Sequence, residues 1–428
     1  MLHKFFQSSF WMQVFLVALF AFTTHVFMRN LSMNIVMRFY CLGGQNFLQG
    51  KDPYKSTEQY GHANSFKYSP QFALLAGGIA RVLPPATYDM RSKMETQGYL
   101  VFEQSPNQQP RLYLNRVPAL VLGLWVMAGT TLFALGLIRW CRLSMSAPLY
   151  VIFAFLSAML DLVISMGAYQ INAVTIGLML LGLAEYRDKR YYTAGAFLVL
   201  AANLKIYPVI FLAALLLRFR WKFLAGAFIC GIVILILPAF WVGWSHNLDT
   251  HVAWVKTVLQ VSRDERILDI VSSFERVGLA WLGVALDKVV FVASLVVLFA
   301  YAAFSKRMDW RPWMAFGMAA TLLVSPRSEV YTYVMLAPAY LYLFYWSRES
   351  EIPFIKKFGS IIVTILAVAC ASCRFTDPTW YYSQTPMEII RVLCSLGFWI
   401  FTGTVLSLSL HERYKEWRGG SRGLAKPA

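Results

Sequence analysis

Apolar runs of about 17 to 24 residues recur from one end of this chain to the other, and few folds accept them. Runs of that length match the hydrocarbon thickness of a bilayer, where a helix satisfies all of its own backbone polar groups. The 428 residues would otherwise suggest two or three soluble domains. Composition argues for one membrane domain instead: 58% of residues are hydrophobic, 14% are charged and the mean hydropathy is +0.52. The expected fold class is an all-α polytopic membrane protein, with a single integral domain over 1–412 and a basic cytoplasmic tail over 413–428.

Charge then sets the topology. A net charge of +17 would mark nucleic-acid binding in a soluble chain, but here the excess Lys and Arg falls in short loops, as cytoplasmic loops of membrane proteins require. These loops lie at Arg139–Arg142, Arg187–Arg190, Arg218–Lys222, Lys306–Arg311 and Arg348–Lys357, and the tail from Arg413 to Lys426 continues the series. The spacing predicts about twelve spans: 10–28, 114–138, 147–166, 171–185, 191–204, 207–217, 222–242, 288–304, 312–325, 331–346, 358–373 and 389–410. Both termini then face the cytoplasm. The first span lacks a small-residue cleavage site, so it reads as a span rather than a cleaved signal. No repeat of 20–50 residues is visible, which counts against a transporter built by internal duplication.

Two outer loops are large, over 29–113 and 243–287. In the first, Asn34 to Pro70 is too polar for the bilayer core and too rich in Phe, Tyr and Leu for a free linker. Its pattern is an amphipathic helix over Arg38–Gln49, a turn at Gly50-Lys51-Asp52-Pro53 and an aromatic-basic run at Phe66-Lys67-Tyr68, which suits a segment lying on a membrane face. Gln71–Leu83 is apolar but short, and reads as a re-entrant or interfacial helix. Tyr88–Arg111 reads as a polar surface excursion. The second loop carries Trp241, Trp244 and Trp254 for the interfacial belt, with a charged run at Arg263–Arg266. The glycine-rich end after Arg418 is expected to be unstructured.

Polar groups at membrane depth are costly, which makes each one a candidate for function. Asp161 stands inside the third span, with an interhelical ion pair, to Lys205 for instance, as the structural alternative. Gln170 and Asn172 line the tight turn between spans three and four. Lys205 is a lone cation at the outer end of span five, before Pro208, and suits an anionic phosphate or a carboxylate. Arg327, Glu329 and Tyr333 gather at another outer turn, and Glu275 with Arg276 precedes span eight. The cysteines sit mainly in apolar runs, so Cys370-x-x-Cys373 reads as small buried hydrophobes, and no His pair has metal-ligand spacing. No metal or cofactor is called for, and no phosphate-binding loop, dinucleotide fingerprint or nucleophile elbow occurs.

The order of features resembles glycosyltransferase family 87, polytopic enzymes of the GT-C class. Gly50-x-x-Pro53-Tyr54 and Lys67-Tyr68-x-Pro70 are similar to that family's first-loop elements. Gly167-x-x-Gln170-x-Asn172 resembles its Gly-Gln-x-Asn turn with two residues inserted. Lys205-Ile206-Tyr207-Pro208 with Arg218–Trp221 resembles its Lys-x-x-Pro span and basic-Trp loop, and Ser325-Pro326 a further element. The resemblance implies a GT-C fold in a bacterial inner membrane. It further implies a polyprenyl-phosphate sugar as donor, a lipid or glycan acceptor, and transfer on the periplasmic or outer face. The residues themselves fit that chemistry: Lys205 with Arg38 or Arg327 suits the donor phosphate and Lys67 is a further cation for it, Gln170, Asn172 and Tyr54 suit the sugar, and Tyr54, Tyr68 and Phe66 suit sugar faces and isoprenoid.

One departure matters for mechanism. The family carries an Asp at the start of the first outer loop, where this chain has Asn34, Ile35 and Val36. The base then falls to another carboxylate: Asp161 first, then Glu329, Glu275 and Asp52. The same departure supports a rival reading, a catalytically inactive subunit that binds lipid-linked sugar. A transporter or flippase for such a lipid is a further alternative.

Overall fold

A computed structural model describes residues 10–29, 35–54, 66–82, 116–141, 148–167, 169–259, 269–304, 310–325, 330–350, 352–372 and 386–423. Asn34, Arg327, Glu329, Cys373 and the stretches Tyr88–Arg111 and Arg263–Arg266 lie outside the described residues, as does the side chain of Arg38. Within them the fold is all-helical, with no strand. Every one of the twelve expected segments falls on helix. Five helices are long and apolar enough to cross a membrane: Phe10–Met28, Ala119–Trp140, Trp221–Val242, Ala280–Ala303 and Ile389–Leu408.

In chain order, α1 spans Phe10–Arg29, α2 Ile35–Leu48, α3 Pro70–Ala80 and α4 Arg116–Cys141. Next come α5 (Pro148–Ala154), a π-helical turn (Phe155–Met159) and α6 (Leu160–Gly167). α7 (Asn172–Arg187) is the central element: every residue from Asn172 to Tyr186 is buried. It packs between α4 and α8 (Tyr191–Leu204), and a Cβ at Gly177 would lie only 2.5 Å from the α4 backbone at Leu132. α8 stops at Leu204 because Pro208 has no N–H for the Leu204 carbonyl, and Lys205 turns extended.

The next helices are α9 (Val209–Leu216), α10 (Trp221–Ile236), α11 (Ala239–Val242), α12 (Trp244–Leu259) and α13 (Ile270–Arg276), followed by α14 (Ala280–Phe304) and α15 (Trp310–Val324). A 3₁₀ segment (Val330–Met335) leads into α16 (Leu336–Glu349), a π turn (Ile355–Gly359) into α17 (Ser360–Ser372), and α18 runs over Pro386–Gly423.

Two expectations change. The span expected over 288–304 begins earlier: α14 starts at Ala280, eight residues before 288, and α12 and α13 lie within the stretch ahead of it. One Asp287-Lys288 pair does not interrupt a helix that is otherwise apolar from Ala280. At the C-terminal end, α18 continues past Arg418 to Gly423, since an established helix needs only one hydrogen bond per added residue.

The first-loop helices are built for close approach. Ser69 caps α3 by accepting from Phe72 N–H, with Pro70 at the first helical position. α2 crosses α3 at Gly44 and Gly77, where a Cβ on Gly44 would lie 2.1 Å from the Gly77 nitrogen. Gly50 ends the α2 turn at φ +71. Gly44→Ala should therefore destabilise by roughly 1–3 kcal/mol, because backbone cannot yield as a side chain can. Gly78→Ala, whose Cβ meets nothing within 4 Å, should be neutral or mildly stabilising. Thermal unfolding of both variants in detergent checks this, and equal melting points would refute it.

Candidate functional site

Two polar clusters lie within the helical body. The first gathers where α2, α3, α7 and α8 meet. α6 ends in a Schellman-type turn, with Gln170 N–H donating to Ser165 O and Tyr169 N–H to Met166 O, both at 2.9 Å. Tyr169 takes the left-handed position usually held by glycine, at φ 55. Its carbonyl accepts from Trp125 Nε1 at 3.2 Å, and this contact on α4 helps to hold the turn. The turn presents Gln170, which is buried, and starts α7 at Asn172, which is fully buried.

Lys205 donates from Nζ to Asn172 Oδ1 at 2.8 Å and lies 5.9 Å from the Tyr207 ring centre. Asn172 Nδ2 is buried and has no hydrogen-bond partner among the described residues. A buried amide N–H pointed at nothing is a place where a ligand acceptor fits.

An aromatic wall stands beside this pair. The Tyr40 hydroxyl lies 3.1 Å from that of Tyr68 and 3.3 Å from Gln170 Oε1. Tyr40 has one hydrogen; donating it to the amide oxygen leaves Tyr40 to accept from Tyr68. Phe72 meets Tyr40 edge-on at 4.8 Å, and Phe66 and Phe72 stack at 6.3 Å. Tyr54 is buried behind the wall, with its hydroxyl donating to Tyr68 O at 2.8 Å and its N–H to Asp52 Oδ1 at 2.8 Å. Burial, with the Asp52 carboxylate beside it, pushes the Tyr54 phenol well above its usual range. Tyr54 and Asp52 are therefore braces of the wall in this geometry. Lys67 is half-buried, and its carbonyl accepts from Trp254 Nε1 at 3.3 Å.

The second cluster holds Asp161. Its Oδ1 accepts from Arg391 Nη2 at 3.2 Å, and the two side chains are 12% and 4% exposed. The Arg391 guanidinium lies 4.1 Å from the Tyr333 ring centre, in cation–π contact. The structure thus gives Asp161 to Arg391 and Lys205 to Asn172, rather than pairing them with each other. Tyr333 belongs with Asp161. Glu275 is exposed on the last turn of α13. Among the described residues no group of three His, Cys, Asp or Glu side chains is placed to hold a metal.

Arg391 is absent from the sequence-derived candidates, although a lone guanidinium near the start of an apolar window is itself a signal. Tyr40, Gln71, Asn203 and His251 are absent too. Only three-dimensional contact reveals them, because a single polar residue on an apolar helix reads as a tolerated exception.

The family model for glycosyltransferase family 87 matches residues 110–326, about half of the chain. The chain belongs to glycosyltransferase family 87. Neither the curated proteins nor the solved structures contain a match to it. Within this family-87 chain, the matched stretch contains Asp161, Gln170, Asn172 and Lys205, whereas Tyr40, Tyr68, Tyr333 and Arg391 come from the flanks.

The Asp161–Arg391 pair has a checkable energetic signature. Neutralising one partner removes the counter-charge that this pair supplies to the other, at a cost of about 3–5 kcal/mol, whereas neutralising both removes that penalty. Asp161→Asn and Arg391→Gln should each lower the melting temperature in detergent, and the double variant should recover most of the loss. A double variant that melts as low as the summed singles would refute the pairing.

Proposed function

We propose that this family-87 protein transfers a sugar from a polyprenyl-phosphate donor to a lipid or glycan acceptor at the outer face of a bacterial inner membrane. The observation that carries the reading is Lys205: an ammonium held on Asn172 at the end of α8, near the Tyr40–Tyr68–Gln170 group. An anchored cation suits a phosphate, aromatic faces suit sugar and isoprenoid, and Gln170 and Asn172 supply the directed hydrogen bonds that orient a sugar. We infer that all twelve helical segments cross or enter the bilayer with both termini cytoplasmic, so that this group opens outward.

In the proposed step an acceptor hydroxyl oxygen attacks the anomeric carbon. The bond from that carbon to the phosphate oxygen breaks, and the phosphate leaves with the electron pair. Lys205 stabilises the charge that gathers on it, with Arg38, Lys67 or Arg327 as further cations. The hydroxyl proton passes to a carboxylate, Asp161 or Glu329. Glu275 and Asp52 rank behind them, the first on an exposed helix end and the second engaged with the Tyr54 backbone.

The inactive-subunit reading gains from one observation. The Asp161 charge already balances a buried guanidinium, and protonating Asp161 would leave Arg391 uncompensated. One assay separates the readings. Purified protein in nanodiscs is offered radiolabelled polyprenyl-phosphate sugars and a total lipid extract. Lys205→Ala should lower turnover by roughly 10²–10³-fold, as loss of one transition-state charge contact does. The folded Asp161→Asn/Arg391→Gln double variant should bind donor yet turn over no sugar if Asp161 is the base. Full turnover in the double variant would exclude Asp161, and donor binding without transfer by the wild type would establish the inactive subunit.

A further inference from the structure

A chain of hydrogen bonds runs from α12 to the segments that carry Tyr68 and Lys205. Ser69 Oγ donates to Asn203 Oδ1 at 2.9 Å, and Asn203 Nδ2 donates to Gln71 Oε1 at 3.0 Å. Gln71 Nε2 donates to Ile234 O at 2.6 Å and lies 2.8 Å from His251 Nε2. His251 Nδ1 lies 2.8 Å from Asn247 O. Ser69 directly follows Tyr68, and Asn203 lies two residues before Lys205.

The direction of every bond in this chain is fixed by its ends. Ile234 is four residues before Pro238, which has no N–H, so its carbonyl lacks the usual helical donor and takes Gln71 Nε2 instead. That fixes the Gln71 amide, because a flip would set oxygen against oxygen. The Asn247 carbonyl accepts, so His251 Nδ1 must carry the hydrogen. His251 Nε2 is then the acceptor for Gln71, and the imidazole is neutral. A proton added to Nε2 would face the N–H of Gln71, and no flip relieves it without breaking the bond to Ile234.

Helix α12 is placed to use this contact. Trp244, Leu248, Val252 and Val255 are exposed at helical spacing, while Asn247 and Thr250 are buried and His251 and Trp254 half-buried. The Asn247, Thr250, His251 and Trp254 side of α12 therefore packs on the protein, and its outward side mixes these apolar residues with Ser245, Asp249 and Lys256. Trp254 Nε1 adds a second tie, to Lys67 O.

We propose that Gln71 and His251 are positioning residues that brace the Tyr68 and Lys205 segments while the imidazole is neutral, and that a proton on His251 Nε2 releases the brace. The proposal rests on Lys205 as the phosphate anchor. Around His251, α3 and α11 bring no charged side chain, and α10 carries only Lys222, in its first turn. On α12 itself Asp249 and Lys256 are exposed, and the His246 ring lies tilted against Phe47 at 5.6 Å. Through Asn203 the chain reaches the segment of Lys205, and through Trp254 it reaches that of Lys67. Burial pulls the His251 pKa below its usual 6.5, with the Asn247 carbonyl opposing. The brace is thus fully present above about pH 6.5 and is lost as pH falls through the lower folded-state value.

Hydrogen exchange of the backbone over residues 198–206 and 66–74, followed from about pH 8 to about pH 5 and corrected for intrinsic exchange, tests this directly. In the wild type, protection of both segments should fall roughly tenfold on acidification. In His251→Gln, whose amide oxygen accepts from Gln71 at every pH, protection should stay flat. In Gln71→Glu, where a carboxylate receives the protonated imidazole, the acid response should vanish or reverse. Identical pH responses in wild type and both variants would overturn the brace. Donor turnover is followed in parallel: the acid loss of activity seen in the wild type should be absent from His251→Gln. The expected exchange pattern with no sugar transferred from any donor would uphold the brace while overturning the transferase reading.

Discussion

A polar group without a partner costs far more inside an apolar helix bundle than it does in water, because nothing there can substitute for the missing bond. That constraint decides most of what is specific about this fold. The Arg391 guanidinium fixes where α18 meets α6, because Asp161 supplies its counter-charge and Tyr333 its aromatic face. Pro238 removes the donor for Ile234, so Gln71 must come from the first loop to replace it. Arg187 closes the opposite end of the central bundle by donating to the carbonyls of Arg139 and Trp140 at 2.9 and 2.6 Å, while the buried Glu185 meets Arg139 at 2.5 Å.

Apolar contact alone would not select this arrangement. Lipid tails are as apolar as Leu and Val, so burying such residues between helices gains little over leaving them in the bilayer. Close backbone approach and satisfied polar atoms do the selecting. Gly44 on Gly77 and Gly136 on Gly177 permit the first, and the Ser69–Asn203–Gln71–His251 chain supplies the second.

The helical body was legible because its signal is redundant: apolar runs recur along the chain, and basic flanks repeat between them. The turn chemistry was legible where one residue type has a single use, as at Gly50 and Pro208. The start of α14 was less legible, because Asp287-Lys288 interrupts the apolar run in the sequence but not the helix. Arg391 and His251 were illegible as site residues for a different reason. For each, a partner lies far off in the sequence, 230 positions away for Arg391 and 180 for His251. Lys205 and Asp161 stood out as lone charges, but the side chain each one meets could not be read from spacing.

The contacts also bound what the family-matched stretch can do alone. Residues 110–326 contain Asp161 without Arg391, Gln170 without Tyr40, Asn203 without Ser69 and Gln71, and Trp254 without the Lys67 carbonyl. Each of those polar groups finds a partner outside the match, in the first loop or in α18. Contacts made by the matched stretch therefore depend on residues on both sides of it. The flanks complete both polar clusters: the first loop supplies the aromatic wall beside Gln170, and the last helix supplies the cation that Asp161 meets.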